Sequence, residues 1–171
     1  MSAFEDPIIR FMDEHQQGLR ELKNLLNAAK ELKLNGYNPE PYEKLRAATR
    51  FINEEIRTHN QNEENALFPK LEEKIGKNGP TAVMRSEHQQ LWESLGRLES
   101  ELNLLSTDGV NNPRIARIAE LATFVHDFLS QHIGKEDNIL YPMARRVLSG
   151  RELQEVSRKM AGIPEPMPPS V

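Results

Sequence analysis

The chain has 171 residues, of which 37% are apolar and 28% are charged, and its formal net charge is −4. This length and composition predict one soluble globular domain that is large enough to bury a core. The acidic balance argues against nucleic acid as a partner, and no apolar run is long enough to predict a membrane span. Because the chain contains no cysteine, disulfides and iron–sulfur clusters are excluded, and any metal site must use histidine and carboxylate. The acidic N-terminus lacks the features of a signal peptide, so we expect a cytoplasmic protein without a membrane partner.

Four long segments show the three- and four-residue spacing of apolar side chains that is typical of one helix face. They cover about residues 7–34, 41–75, 81–105 and 114–148. Clusters of glycine, asparagine and proline separate them at 35–39, 76–80 and 107–113. Pro69 and Pro142 lie inside the second and fourth segments, where a proline predicts a kink or a break.

Four long helices joined by short connections predict an all-α fold, an up-down-up-down four-helix bundle over residues 1–150. The bundle would consist of two αα-hairpin repeats. We expect a short helix over residues 151–160. The tail to residue 171, which has four prolines between 162 and 169, is expected to be extended or disordered.

The second half of the chain repeats part of the first half at an offset of 73 residues. The segment Glu14-His15-Gln16-Gln17 recurs as Glu87-His88-Gln89-Gln90. The longer motif Phe51…His59-x-x-x-Glu63-Glu64-Asn65-x-Leu67-Phe68-Pro69 recurs as Phe124…His132-x-x-x-Glu136-Asp137-Asn138-x-Leu140-Tyr141-Pro142. Each half therefore supplies one isolated histidine, followed by a histidine and a glutamate four residues apart.

Six repeated residues of metal-ligand type fall within the apolar stripes of the helices, where polar groups are expensive to bury. They are His15, His59, Glu63, His88, His132 and Glu136. Residues four apart share a helix face, and no lysine or arginine shares these faces to neutralise the carboxylates. A single inward histidine is more often a core residue, and a single His-x-x-x-Glu is more often a surface ion pair. Neither interpretation explains the recurrence, so we predict a site for two divalent cations, with iron, manganese or zinc as candidates.

The same pattern, closed by Leu67-Phe68-Pro69 and Leu140-Tyr141-Pro142, resembles the hemerythrin-like (HHE cation-binding) family over about residues 8–145. The resemblance implies a four-helix bundle with a non-haem centre of two iron ions, joined by carboxylates and by an oxo or hydroxo bridge. By position, His15 and His59 would bind one iron, and His88 and His132 would bind the other. Glu63 and Glu136 would bridge the two. The Glu-x-x-His motif of ferritin-like proteins is absent.

One departure from the family pattern lies four residues before His88, where oxygen carriers have a further histidine and this chain has Met84. A thioether is a poor ligand for iron with hard donors, so that coordination position would be open, water-bound or completed by another carboxylate. Glu55, four residues before His59, is a candidate additional ligand, although an outward or supporting glutamate is the favoured interpretation. His126 is expected to be peripheral.

Two further groups of residues are candidates for supporting roles. Metal-bound histidines usually donate their second ring N–H to a carboxylate or carbonyl, but residues next to ligands face other directions and are equally compatible with surface positions. The candidates are Glu14, Glu87, Gln16 and Gln89. An apolar wall around the site is expected from Trp92, Phe11, Phe51, Phe124 and Phe128.

These features predict a di-iron protein that binds or reacts with oxygen, peroxide or nitric oxide, and they leave open whether the protein is an enzyme. The alternative is an iron or oxygen sensor, or a metal-handling protein without turnover, because a cation in a bundle core stabilises the folded state. Family members that repair iron centres carry an additional N-terminal module with cysteines. The repair of iron centres is therefore a less favoured function for this chain, because the chain begins almost directly at its first helix.

Overall fold

A computed structural model describes residues 5–108 and 112–163, and every regular element in these ranges is helical. The all-α prediction is therefore confirmed. The α-helices are α1 (Pro7–Asn35), α2 (Pro39–Phe51), α3 (Arg57–Asn62), α4 (Phe68–Ile75), α5 (Pro80–Asp108), α6 (Asn112–Lys135), α7 (Tyr141–Val147) and α8 (Gly150–Met160). Three π-helical segments connect some of them, namely π1 (Ile52–Ile56), π2 (Glu63–Leu67) and π3 (Glu136–Leu140). The predicted proline-rich tail from residue 164 lies outside the described residues.

Local capping interactions define several helix ends. The side chain of Asp6 accepts a hydrogen bond from the backbone N–H of Ile8 and so caps α1. The helix ends at Gly36, whose φ of 78° is accessible to glycine at little cost. At the start of α8, Ser149 and Glu152 form a reciprocal capping box.

Both internal prolines are the second residue after a π segment, and the chain stays helical through them. Of the predicted kink or break at Pro69 and Pro142, the break is therefore wrong. In an α-helix a proline ring clashes with the carbonyl four residues earlier and removes one hydrogen bond. Here those carbonyls belong to Asn65 and Asn138, inside π2 and π3. In a π segment the backbone hydrogen bonds span five residues and not four. The four-residue hydrogen bond that the proline would remove from an α-helix is therefore not formed at this point.

The long helices pack on one another as a bundle: α1 contacts α2 and α6, α5 contacts α6, and α2 contacts α5. Apolar residues form two clusters along it. The large apolar cluster is built around residues such as Leu22, Leu45, Leu98 and Ile118. The small apolar cluster contains Ile8, Phe11, Ala66, Leu67, Phe68, Leu71, Met84, Leu140, Tyr141, Ala144, Leu148 and Val156. None of the helices in the described ranges is long and apolar enough to cross a membrane.

The polar repeat residues lie between these two clusters. On α1, His15 follows Phe11 of the small cluster and precedes Leu22 of the large cluster. On α5, His88 likewise separates Met84 from Leu91. The helix α8 packs against α1 and π2 and contributes Val156 to the small apolar cluster. One end of the polar region is therefore closed by apolar side chains and by α8.

Candidate metal centre

The structure brings the six predicted metal-site residues together in the interior, and none of them is more than 2% exposed. The α-helices supply four histidines, and the π segments supply two glutamates at their first positions. These are His15 from α1, His59 from α3, His88 from α5, His132 from α6, Glu63 from π2 and Glu136 from π3.

The four imidazoles form two pairs, one from each repeat of the sequence. The Nε2 atoms of His15 and His59 are 3.0 Å apart, and those of His88 and His132 are 3.1 Å apart. Each pair lies near Glu136, which gives two groups of three donor atoms that lie within 4.8 Å of one another. This spacing is compatible with one cation in each group.

The two carboxylates lie between the histidine pairs. Glu136 divides its oxygens, with Oε2 3.1 Å from Nε2 of His15 and Oε1 3.0 Å from Nε2 of His132. Glu63 turns a single oxygen to both pairs, because its Oε2 is 3.4 Å from Nε2 of His88 and 3.6 Å from Nε2 of His59. Both carboxylates therefore reach both halves of the site.

Every imidazole also contacts a second, outer carboxylate through its other ring nitrogen. The Nδ1 atom of His15 is 2.7 Å from Asp137, that of His59 is 2.8 Å from Glu14, that of His88 is 2.6 Å from Glu64, and that of His132 is 2.8 Å from Glu87. A neutral imidazole that donates Nδ1–H to a carboxylate has a lone pair at Nε2. The outer carboxylates therefore orient four lone pairs toward the centre of the site.

These outer carboxylates follow the sequence repeat, since Glu14 corresponds to Glu87 and Glu64 corresponds to Asp137. The sequence analysis named Glu14 and Glu87 as candidates for supporting the histidines, but their positions were equally compatible with the protein surface. Glu64 and Asp137 were missed, although their place directly after Glu63 and Glu136 in both copies was a usable signal. Gln16 and Gln89 are exposed.

Protons partly compensate the buried carboxylates when no cation is bound. Burial opposes the charge on His15, but hydrogen bonds to Asp137 and Glu136 outweigh it and raise the pKa of His15 to about 9. For His88 burial is likewise outweighed, by Glu136 and Glu63, and the pKa rises to about 10. The pKa of Glu136 lies well below its usual value despite burial, because His132 and the other imidazoles favour its charge. The cluster therefore requires positive charge, from protons or from cations.

The orphaned oxygens show that cations fit this requirement. With neutral imidazoles, Oε2 of Glu63 and both oxygens of Glu136 are buried and have no hydrogen-bond donor among the described residues. These oxygens face lone pairs rather than protons, which is unfavourable in a dry interior. Imidazole nitrogen and carboxylate oxygen are the donors that iron, manganese and zinc accept. The residues present thus fit divalent cations.

The aromatic residues after the two π segments differ between the halves. Tyr141 stacks on His15 with ring centroids 5.4 Å apart, and Phe68 stacks on His88 at 5.9 Å. The Tyr141 hydroxyl donates a 2.8 Å hydrogen bond to Oε1 of Glu63. Burial beside Glu63 raises the pKa of Tyr141 well above its usual value. The repeat in the sequence includes both aromatic residues, but no role was predicted for Tyr141.

Glu55, the candidate additional ligand, is exposed and belongs to neither donor group. It lies in π1, so the step from Glu55 to His59 crosses a wider turn than the α-helix that the four-residue rule assumes. The inward residue is Ile56 instead, three residues before His59. The structure therefore agrees with the favoured interpretation of Glu55 as an outward glutamate and does not support its alternative role as a ligand.

Met84 is buried within the small apolar cluster. The imidazole of His126, for which a peripheral role was expected, is 28% exposed and contacts its neighbour Asp127.

The predicted aromatic wall is only partly correct. Of its five members, Phe11 contacts the site, with its ring edge-on to His59 at 5.1 Å. Trp92, Phe51 and Phe128 pack against the large apolar cluster, and Phe124 is 47% exposed. Phe68 and Tyr141 take the place that the sequence interpretation gave to these residues.

Comparison with known proteins gives matches to one family model and to several related proteins. A family model described as the hemerythrin HHE cation binding domain matches residues 7–144. The iron-sulfur cluster repair protein YtfE of Escherichia coli O81 (strain ED1a) is 32% identical over 144 residues, which are 80% of this chain and 62% of that protein. The proteins of the same name from Escherichia coli O1:K1 / APEC and Escherichia fergusonii are 31% identical over the same shares. The chain thus spans less than two thirds of the length of these relatives.

Proposed function

The chain belongs to the hemerythrin HHE cation-binding domain family, and from this premise we propose that it holds two iron ions and binds or reacts with oxygen, peroxide or nitric oxide. His15 and His59 bind one ion, and His88 and His132 bind the other. Glu63 and Glu136 bridge them. The observation that carries this proposal is the set of buried carboxylate oxygens without donors opposite four inward Nε2 atoms.

The proposal includes an up-down-up-down arrangement of the bundle over residues 1–150, with residues 151–171 appended to it. The contacts of α1 with α2 and α6, and of α5 with α6, support this arrangement. We also propose a cytoplasmic location, a small diatomic molecule or peroxide as the ligand, and no nucleic acid or membrane partner. The acidic net charge of −4 supports the exclusion of nucleic acid.

A bound iron pair supplies redox equivalents and a coordination position for a small ligand. The protein supplies orientation, because the outer carboxylates Glu14, Glu64, Glu87 and Asp137 fix the imidazole rings. Phe11, Phe68 and Met84 keep water from the site. Because Met84 offers only a thioether where oxygen carriers have a histidine, an ion held by His88 and His132 would have one protein ligand fewer than in those carriers.

Metal content and the visible spectrum of the purified protein test this proposal. We expect about two iron ions per chain after anaerobic loading. His132→Ala should lose metal and become less stable, because it removes a ligand and leaves Glu136 facing an empty space. The matched control is His126→Ala on the same helix, which should keep both properties because His126 belongs to neither donor group and its ring nitrogen contacts the neighbouring Asp127. Full metal occupancy in His132→Ala would contradict the ligand assignment.

The name of these relatives, iron-sulfur cluster repair protein, supports a second candidate function, the handling of iron in such repair. Because the chain has no cysteine, it would supply iron to a cluster that another protein holds. The test is the recovery of a cluster-depleted iron–sulfur protein. Recovery that is faster with the iron-loaded protein than with the same amount of free iron would support this function, and equal rates would contradict it.

A further inference from the structure

The two halves of the centre differ by a single hydroxyl group at one pair of equivalent positions. Phe68 and Tyr141 occupy the same place in the sequence repeat, directly after π2 and π3. Their rings stack in the same way on equivalent histidines, with interplanar angles of 14° for Phe68 on His88 and 16° for Tyr141 on His15. The two rings therefore pack in the same way, and the hydroxyl oxygen of Tyr141 is the difference between the two side chains.

This oxygen lies among the donor atoms of the first histidine pair. It is 3.4 Å from Nε2 of His15 and 3.5 Å from Nε2 of His59, which are themselves 3.0 Å apart. The point equidistant from these three atoms lies about 2 Å from each, which is the bond length that nitrogen and oxygen donors take to cations of this class. Tyr141 is 1% exposed, so its oxygen is fixed in the interior beside the two nitrogens.

The outer carboxylates also distinguish the two histidine pairs, and they too make the His15 and His59 side the better site for an oxygen donor. Three of the outer carboxylates also contact a basic side chain: Glu14 contacts Arg10, Glu64 contacts Arg85, and Glu87 contacts Lys135. Asp137, behind His15, contacts no basic group except that histidine among the described residues. The position at His15 and His59 is therefore the more electron-rich of the two, which favours a hard, highly charged ion and an oxygen donor.

We propose that the Tyr141 oxygen is a further ligand of the ion held by His15 and His59, so that the two metal positions are unlike. This inference rests on the proposed function. On binding, the hydroxyl loses the proton that it shares with Oε1 of Glu63, and this proton leaves to solvent as the cation takes its place. The other position, beside Phe68 and Met84, would have no hard donor from either of these side chains and would therefore be the more open of the two to a small ligand.

A tyrosine oxygen bound to iron(III) gives a phenolate-to-metal charge-transfer band, and excitation in this band enhances the ring vibrations of the phenolate in the Raman spectrum. We expect both signals in the iron(III)-loaded protein. Tyr141→Phe should lose both and retain two iron ions, because it copies the Phe68 side of the site. The matched control is Tyr42→Phe, which removes a buried hydroxyl that donates to the carbonyl of Leu102 and should leave both signals intact.

Stepwise iron affinity gives a second readout. Tyr141→Phe should weaken one of the two binding steps and leave the other unchanged, and the loss should be about tenfold or more. Phe68→Tyr should add a second phenolate signal. An iron-loaded wild-type protein without phenolate vibrations would overturn this inference and leave the proposed function standing. A protein that binds no iron would overturn the proposed function itself. If a variant fails to fold, the presence or absence of phenolate vibrations in the iron-loaded wild-type protein still tests whether a tyrosine binds the metal.

Discussion

Each inward histidine is oriented by a carboxylate that comes from another part of the chain. Glu14 is next to His15 in sequence but bonds His59, and Glu87 is next to His88 but bonds His132. The acidic residue after each buried glutamate bonds a further histidine, as Glu64 does for His88. An Nδ1–H bound in this way fixes the ring and makes Nε2 more basic, so the outer carboxylates belong to the metal centre as much as the ligands do.

Replacement of one outer carboxylate should therefore weaken metal binding without removing a ligand. In Glu64→Ala, His88 loses its 2.6 Å partner, and we expect metal affinity to fall about 10–100-fold. The matched control is Glu55→Ala, in the same half of the chain, which should leave the affinity unchanged because Glu55 is exposed. Competition with a chromophoric chelator measures both values. Equal affinities for the two variants would contradict the role of Glu64.

At the residue scale, the inward positions could be predicted and their partners could not. His59 and Glu63 share a face by the four-residue rule, and the copy at His132 and Glu136 makes coincidence improbable. A residue next to a ligand is rotated by about 100° and faces a neighbouring helix. Whether it contacts a histidine there depends on which helices are neighbours in the bundle. The spacing of residues along a single helix does not give this information. Glu64 was missed for this reason.

The π segments explain where the helical period failed. The segments π2 and π3 begin at equivalent residues, Glu63 and Glu136, whereas π1 occurs in the first half, where the second half is α-helical. A π turn contains an extra residue and rotates the residues after it about the helix axis. Ile139, which the α-helical period would place near the face of Glu136, is accordingly 56% exposed. π segments are common at functional sites, and here two of them begin at the buried carboxylates Glu63 and Glu136.

The close approach of α1 to π1 can be tested by glycine replacement. A Cβ atom at Gly18 would lie 2.9 Å from Cδ1 of Ile56, so in Gly18→Ala the end of the Ile56 side chain must shift, and this variant should gain less stability than a helical Gly→Ala variant without such a neighbour. Gly96 is the matched control, because it also lies within a helix and nothing lies within 4 Å of its added Cβ. Gly96→Ala should stabilise the protein by about 0.5–1 kcal/mol. Urea unfolding midpoints would measure both changes, and equal gains would show that the two helices are not in tight contact.

Across the whole molecule, a polar and charged centre lies between two apolar clusters. The hydrophobic period was sufficient to predict the helical bundle, because both clusters consist of residues on the inward stripes. The position of the short α8 against π2 could not be derived in this way, since it depends on tertiary packing of Val156. The centre itself requires positive charge, so the stability of the whole fold is linked to protons and to cations.

This linkage predicts that the stability of the metal-free protein depends on pH more strongly than that of the metal-bound protein. In the metal-free protein the pKa of His15 is raised to about 9 and that of His88 to about 10, above the value near 6.5 of an unfolded chain. Their contribution to stability is therefore fully present below about pH 6.5 and is lost as the pH rises through 9 and 10, at up to about 1.4 kcal/mol per pH unit for each proton.

A bound cation removes this loss, because it replaces those protons and binds more tightly as the imidazoles become neutral. Unfolding free energies should be measured at neutral pH and at about pH 9.5 for chelator-treated and iron-loaded protein. We expect the metal-free protein to lose stability at the higher pH and the difference between the two forms to widen there. Such a difference is what an iron-dependent change in folding would require. A metal-free protein with the same stability at both pH values would show that the buried carboxylates do not depend on the imidazoles for their compensating charge.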